Sequence, residues 1–247
     1  MITRVFIIGA QRCGTTLLYR LLDSHPDVAM ARPVRPEPKV FLTDDVVGDP
    51  QAYDARLFAD VPATRVRGEK ATSYLEHRAA LDRIAETFPD AHIVVSVRDP
   101  IERAVSNYRF SVDHGLEDRP LDAALLDDLE GRERSWDRAR ISVSPYAYVR
   151  RGHYLKALRR VETRFDRTRI HVVVFEEFVS DVGEAARILR ALGIAGLPLH
   201  GGPPVALNPS AAPARLSPTV RDRLRDHYAE PNAALARHLG RTLDAWQ

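Results

Sequence analysis

Arg12, Cys13, Gly14, Thr15 and Thr16 lie between a short apolar run, Phe6 to Ile8, and the helical pattern LLYRLLDSH. A guanidinium, two adjacent hydroxyls and glycines at positions 9 and 14 share one chemistry: they can hold an anionic oxygen group. A loop between a buried strand and a helix start presents backbone N–H groups together with the positive end of the helix dipole. Arg12 adds a planar two-pronged donor suited to phosphate or sulfate oxygens, and the threonines add hydroxyls. The spacing from Gly9 to Gly14 matches the phosphate-binding pattern G-x-x-x-x-G-K-S/T, except that Thr15 stands where that pattern places lysine. Glycine spacing alone is equally compatible with a plain strand-to-helix turn; the cation and the paired threonines favour the anion site. Cys13, the single cysteine, reads as a small loop-filling residue, because no histidine is placed beside it to make it a nucleophile.

A second junction, AHIVVSVRDPIERAVSNYRF, repeats the arrangement. Ile93 to Val97 reads as a buried strand, Asp99 as an N-cap and Pro100 as the first residue of a helix. Arg98 therefore stands at a strand's carboxyl end, where open parallel sheets bind ligands. Ser106 follows about two helical turns later, on the same side. Arg98 and Ser106 together would hold a second phosphate; the plainer reading pairs Arg98 with Asp99 or Glu102 at the helix start.

Two phosphate-type sites of these sequences resemble those of the sulfotransferases that use 3′-phosphoadenosine 5′-phosphosulfate (PAPS). GAQRCGTT is similar to that family's 5′-phosphosulfate loop, and VRDPIERAVSNY to its 3′-phosphate strand and helix. The resemblance implies that Arg12, Cys13, Gly14, Thr15 and Thr16 bind the 5′ end of the donor and Arg98 and Ser106 its 3′-phosphate. RPEPKVFL, from Arg35 to Leu42, resembles the K-E-P-x-F-F element of carbohydrate-type and bacterial small-molecule sulfotransferases, which makes Glu37 the base and puts Lys39 close to donor or acceptor oxygens. GEKATSYL, from Gly68 to Leu75, resembles E-K-S-P-x-Y and places Lys70 near the donor's bridging oxygen. RRGHYLKAL resembles R-G-x-Y, so that Arg151 helps bind acceptor or donor, although a basic helix start feeding a core stripe explains it nearly as well. Arg215 occupies roughly the place of the family's late 3′-phosphate arginine. Val40, Ala71, Thr72 and Arg12 depart from the family pattern, and each departure bears on a role, not on the class.

The chemistry can be stated without the name. Sulfuryl transfer needs in-line attack by an oxygen or nitrogen while negative charge builds on the departing phosphate. Cations such as Arg12 and Lys70, with the loop amides, lower that barrier. An alcohol attacks well only as it loses its proton, which Glu37 would accept; the bland alternative is a solvated loop carboxylate. The scheme needs no metal, and the nine histidines show no H-E-x-x-H or comparable ligand spacing. His114 and His153 are read as surface or packing residues, with a supporting catalytic role as the sharper option.

Buried strands alternating with amphipathic patterns over 247 residues predict an α/β fold, a single domain over 1–247 with a central parallel sheet flanked by helices. The resemblance makes this a P-loop-like nucleotide-binding sulfotransferase fold. No apolar run approaches the roughly 18 to 20 residues of a membrane helix, and the start is read as lacking a signal peptide, so a cytoplasmic location is expected. A formal net charge of +2 argues against nucleic-acid or membrane-surface partners. The basic residues are 33 arginines and three lysines, Lys39, Lys70 and Lys156, which draws attention to the two that fall in family elements. RIHVVVFEEF, from Arg169, reads as a further buried strand, VGEAARILRALGI as an amphipathic helix closed by Gly193, LSPTVRDRLRDHYAEPNAALARHLGRTLDAW as two terminal helices broken at Pro231, and Gly201 to Pro213 as a lid over the nucleotide. The polar segment from Leu116 to Ser144 either covers the acceptor, with Trp136 and Tyr146 as walls, or is a solvated helix. The expected function is sulfuryl transfer from PAPS, leaving the desulfated product PAP, to a hydroxyl of a small-molecule, glycolipid or saccharide acceptor. A P-loop-type kinase and a non-catalytic nucleotide-binding domain are the alternatives.

Overall fold

The computed structural model describes residues 2–181, 183–195 and 214–246. In chain order its strands are β1 (Thr3–Gly9), β2 (Val28–Met30), β3 (Val66–Lys70), β4 (His92–Val97) and β5 (Ile170–Val174). Its helices are α1 (Thr15–Asp23), α2 (Pro50–Phe58), α3 (Arg78–Thr87), α4 (Pro100–Asp113), α5 (Leu121–Leu129), α6 (Tyr154–Glu162), α7 (Phe175–Ser180), α8 (Gly183–Ala191) and α9 (Pro218–Leu239). The chain forms two compact units, Met1–Val97 with Leu158–Leu207 and Arg98–Ala157 with Asn208–Gln247.

The first unit is an α/β layer structure. Its five strands form one sheet in the order β2-β3-β1-β4-β5, every neighbouring pair parallel. Strands buried on both faces read as continuous apolar runs, as VFIIG and HIVVSV do. Side chains alternate between the faces. On one, Val5, Ile7, Val66 and Val94 pack against Leu18 and Leu22 of α1 and Ile188, Leu189 and Leu192 of the α8 region. On the other, Phe6 joins Phe41, Tyr53 and Phe88 in a ring cluster with centroids 5.0 to 6.3 Å apart. Gly193 ends α8 as the sequence indicated, in the left-handed conformation at φ 76°, with the Ile194 amide returning to the Leu189 carbonyl.

The second unit is helical. Ile101, Ala104, Val105 and Tyr108 of α4, Leu121 and Leu125 of α5, and Val220, Leu224 and Tyr228 of α9 enclose Tyr148. Two sequence readings are corrected. Residues 218–239 form one helix that runs through Pro231, not two. Proline removes one N–H and crowds the preceding turn, but buried Leu224 and Tyr228 before it and Leu235 after it hold both halves in place. The β5 run ends at Val174, and Phe175 already begins α7. The lid expected over Gly201 to Pro213 lies outside the described residues.

At the amino-terminal end of β4 and β5, His92 and His171 stack with ring centroids 5.2 Å apart and Nδ1 to Nε2 at 2.9 Å. Burial, then the neighbouring His92 and Arg187, pushes His171 from 6.5 down to about 4. The native state thus binds fewer protons than the unfolded chain between those values, so stability falls as pH drops from 6.5 toward 4. Relative to wild type, His171→Gln should flatten that acid limb by roughly 3 kcal/mol, measured by urea unfolding across the range. Parallel limbs in the two proteins would remove the assignment.

Candidate active site

The loop after β1 is clamped by β4. The Ala10 amide donates to the Ser96 carbonyl at 2.7 Å, and the Ser96 hydroxyl donates to the Cys13 carbonyl at 2.5 Å. Cys13 is buried with its thiol toward the Gln11 carbonyl at 3.7 Å, which suits a loop-filling residue. Gly14 is required twice over. Its φ is 75°, and a Cβ there would come within 2.4 Å of the Phe175 ring, so any side chain meets both backbone strain and overlap. Gly14 is also the N-cap of α1, and no side chain caps that helix. Its first-turn amides, with Thr15 buried and Thr16 half-buried, therefore form an N-terminus of the kind that receives anions.

Among the described residues, two that are not glycine adopt positive φ: Arg12 at 68° and Lys39 at 53°. Left-handed backbone costs a non-glycine residue about 1 kcal/mol or more and concentrates at ligand-binding sites. Both are cations that the sequence assigned to the site.

Glu37 and Lys70 meet directly. In the sheet register Lys70, the last residue of β3, lies opposite Ile7, two positions before Gly9. Its ammonium donates to Glu37 Oε1 in an ion pair whose side chains are 3% and 13% exposed for Lys70 and Glu37. Thr72 completes the arrangement: its amide donates to Glu37 Oε2 at 3.0 Å and its hydroxyl approaches both carboxylate oxygens at 3.2 Å. Sequence reasoning gave Thr72 no role. The available signal was its place in GEKATSYL, where the family pattern has proline, a residue with no N–H to give. Three donors, the Lys70 ammonium and the Thr72 amide and hydroxyl, thus hold the carboxylate in place beside a cation.

In the second unit, Asp99 caps α4 by accepting from the Ile101 and Glu102 amides at 2.8 and 2.9 Å, with Pro100 at the first position. Glu102 pairs with Arg221 at 3.0 Å. The Arg98 carbonyl accepts from the Tyr154 hydroxyl at 2.8 Å, and Ser106 lies on α4, half-buried. Arg151 donates to Asn107 Oδ1 at 2.7 Å and to the Ser144 carbonyl at 2.9 Å, which makes it a brace as well as a cation. Arg215 is exposed just before α9. Trp136 donates to the Ile141 carbonyl, and Tyr146 lies under the Arg134 guanidinium at 4.8 Å. The segment holding them is partly structural: Glu117 is buried among Arg119, Arg134 and the Tyr148 hydroxyl. His114 contacts the Phe110 carbonyl, and His153 the His227 ring at 3.0 Å. The described residues contain no group of three or more metal-binding side chains and no helix long and apolar enough to cross a membrane.

A sequence profile described as the sulfotransferase family matches residues 4–59 and 47–198, which together carry the loop, Glu37, Lys70 and Arg98. The chain belongs to the sulfotransferase family. This sulfotransferase is 32% identical over 192 residues to the mouse protein named heparan sulfate glucosamine 3-O-sulfotransferase 3B1, covering 77% of the chain and 46% of that protein. It thus spans about half the length of the curated relatives it matches. A sulfotransferase crystal structure from Alicyclobacillus acidocaldarius superposes on it with a TM-score of 0.76 and 26% identity, covering 100% of this chain and 99% of the other. Mouse sulfotransferase SULT7A1, solved in complex with PAP, shares the fold at a TM-score of 0.52 and 17% identity over 78% of this chain and 60% of that one.

Proposed function

We propose that this sulfotransferase moves a sulfuryl group from PAPS to a hydroxyl of a saccharide or small-molecule acceptor, with Glu37 as the base. The observation that carries the reading is the Glu37, Lys70 and Thr72 arrangement beside the glycine loop on the same sheet edge. PAPS supplies the sulfuryl group already attached to a phosphate that can leave. The fit rests on the uncapped start of α1, the left-handed Arg12 and Gly14, and Thr15 and Thr16, which would receive the 5′ end. Arg98 and Ser106 would receive the 3′-phosphate, with Arg215 and Arg151 as further cations. Glu37 takes the acceptor's proton as a new S–O bond forms and the S–O bond to phosphate breaks. Arg12, Lys70 and the loop amides stabilise the charge that the phosphate gains.

Saccharide acceptors are supported by relatives named for heparan sulfate glucosamine, and a free PAP site by the complex of the fold neighbour. Lys39, left-handed two residues after Glu37, would meet acceptor or donor oxygens. A cytoplasmic enzyme of bacterial secondary metabolism is the setting we favour. A kinase is disfavoured because Thr15 replaces the lysine and Asp99 is committed to capping α4. A nucleotide-binding domain without catalysis would have no use for Glu37 fixed in this way.

Thermal unfolding with PAP, and separately with ATP and magnesium, tests the reading. Saturating PAP at about a hundred times its Kd should stabilise the fold by about 2.7 kcal/mol, and ATP with magnesium should not. Arg98→Ala should weaken PAP binding about tenfold or more, in line with the loss of one charge-assisted contact. Stabilisation by ATP alone would turn the assignment toward a kinase. A panel of hydroxylated saccharides and small molecules with labelled PAPS identifies the acceptor.

A further inference from the structure

Lys70 has a neighbour on β3 that turns the other way. Glu69 is fully buried, accepts from the Tyr74 hydroxyl at 2.6 Å and from the Tyr53 hydroxyl at 3.3 Å, and takes a bond from the Val40 amide. The Tyr74 oxygen in turn accepts from the Phe41 amide at 3.0 Å. Val40 and Phe41 open the short helical turn Val40–Leu42, whose N-cap is the left-handed Lys39. Glu37 stands only three residues before Val40. One strand therefore grips this segment at two points: Lys70 holds the Glu37 carboxylate from one face, and Glu69 holds the turn that follows it from the other.

The groups that bear most on Glu69 come from three elements. Tyr53 comes from α2, Tyr74 from the turn after β3, and the Val40 amide from the loop; Glu37 acts on it electrostatically from beyond that loop. Arg4 of β1 lies over the Phe88 ring at 4.9 Å and the Tyr53 ring at 5.7 Å, and is held by Asp54. Among the described residues Glu69 joins no ion pair. A buried carboxyl without a counter-cation is costly, and hydrophobic residues could fill the same ring cluster, so its retention calls for a use.

We propose that Glu69 is a positioning residue for the transfer reaction, which fixes Glu37 through Tyr74 and the Val40–Leu42 turn. The proposal rests on the assignment of Glu37 as the base. Burial pushes Glu69 up to about 7, against the pull of the Tyr74 and Tyr53 hydroxyls. The ionised form accepts all three donors, whereas the protonated form must spend one oxygen as a donor. The grip on the turn should then tighten as pH rises through 7, giving kcat an alkaline-rising limb there. Displacing a reacting group by even an ångström can cost about a hundredfold in rate.

Two full-length variants test this, Glu69→Gln, which keeps shape but does not ionise, and Tyr74→Phe, which removes the link to Phe41. Hydrogen exchange over residues 36–42 should speed up about tenfold or more in both, with PAP affinity by calorimetry within about twofold of wild type and KM for PAPS unchanged. The kcat for PAP release, with the acceptor found by the panel, should fall about tenfold to a hundredfold, and the limb near pH 7 should vanish in Glu69→Gln. Unchanged exchange in both variants overturns the proposal whatever the activity, as does wild-type kcat with the wild-type pH profile. Failure of the wild-type protein to bind PAP would instead defeat the donor assignment, while the exchange data still decide whether Glu69 anchors the turn.

Discussion

Replacing Glu37 with glutamine should lower sulfuryl transfer by about a thousandfold while PAP affinity stays within a few-fold of wild type, the range expected for loss of a general base. Glutamine matches the carboxylate in shape, and its carbonyl oxygen can still accept the Thr72 amide now bonded at 3.0 Å. What disappears is the capacity to take a proton. Donor binding should persist because the glycine loop and α1 do not depend on Glu37 for their geometry: Ser96 and Gly14 set that loop. Steady-state PAP formation together with a PAP titration separates the two effects. Transfer within tenfold of wild type would show that the proton goes elsewhere, with His153 the first place to look.

Lys70→Met should cut transfer by about a hundredfold or more, since it removes a cation from the neighbourhood of the leaving phosphate. It should also destabilise the fold, by roughly 3 kcal/mol, because a largely buried carboxylate loses its counter-charge. Glu37 is 13% exposed and keeps the Thr72 bonds, so water and those donors offset part of that loss. The Glu37→Gln, Lys70→Met double variant should recover most of the stability and none of the activity, which denaturant unfolding beside transfer assays will read. If Lys70→Met alone unfolds at the wild-type midpoint, the ion pair contributes nothing to stability, and the position of Lys70 must be explained by the reaction alone.

Much of the frame was legible because its signals are local. Asp99 and Pro100 announce the start of α4, and the structure caps that helix through Asp99. The apolar runs from Phe6, Ile93 and Arg169 became β1, β4 and β5 of the parallel sheet, and Gly193 closed α8. Pro231 misled, since proline's local effect is to break a helix, and only the burial of Leu224, Tyr228 and Leu235 shows why α9 continues. Thr72 and Glu69 were missed for a different reason. Glu69 stands at the glutamate and Thr72 at the proline of the E-K-S-P-x-Y element, but what each one touches depends on a partner far off in the chain or on burial against rings.

The order of residues by itself determined the strands and helices that flank the loop and α4, that a glycine loop with Arg12 opens α1, and the family to which the chain belongs. Those follow from steric preference, side-chain alternation and the placing of caps within a few residues. Tertiary structure alone decided that Lys70 should close on Glu37 across 33 positions, that Thr72 should donate to the same carboxylate, and that Glu69 should be buried against the Tyr53 and Tyr74 hydroxyls on the other face of β3. Hydrogen bonds and ion pairs reach only a few ångströms, and which distant side chains come within that reach is set by strand order and register, not by neighbours in the chain.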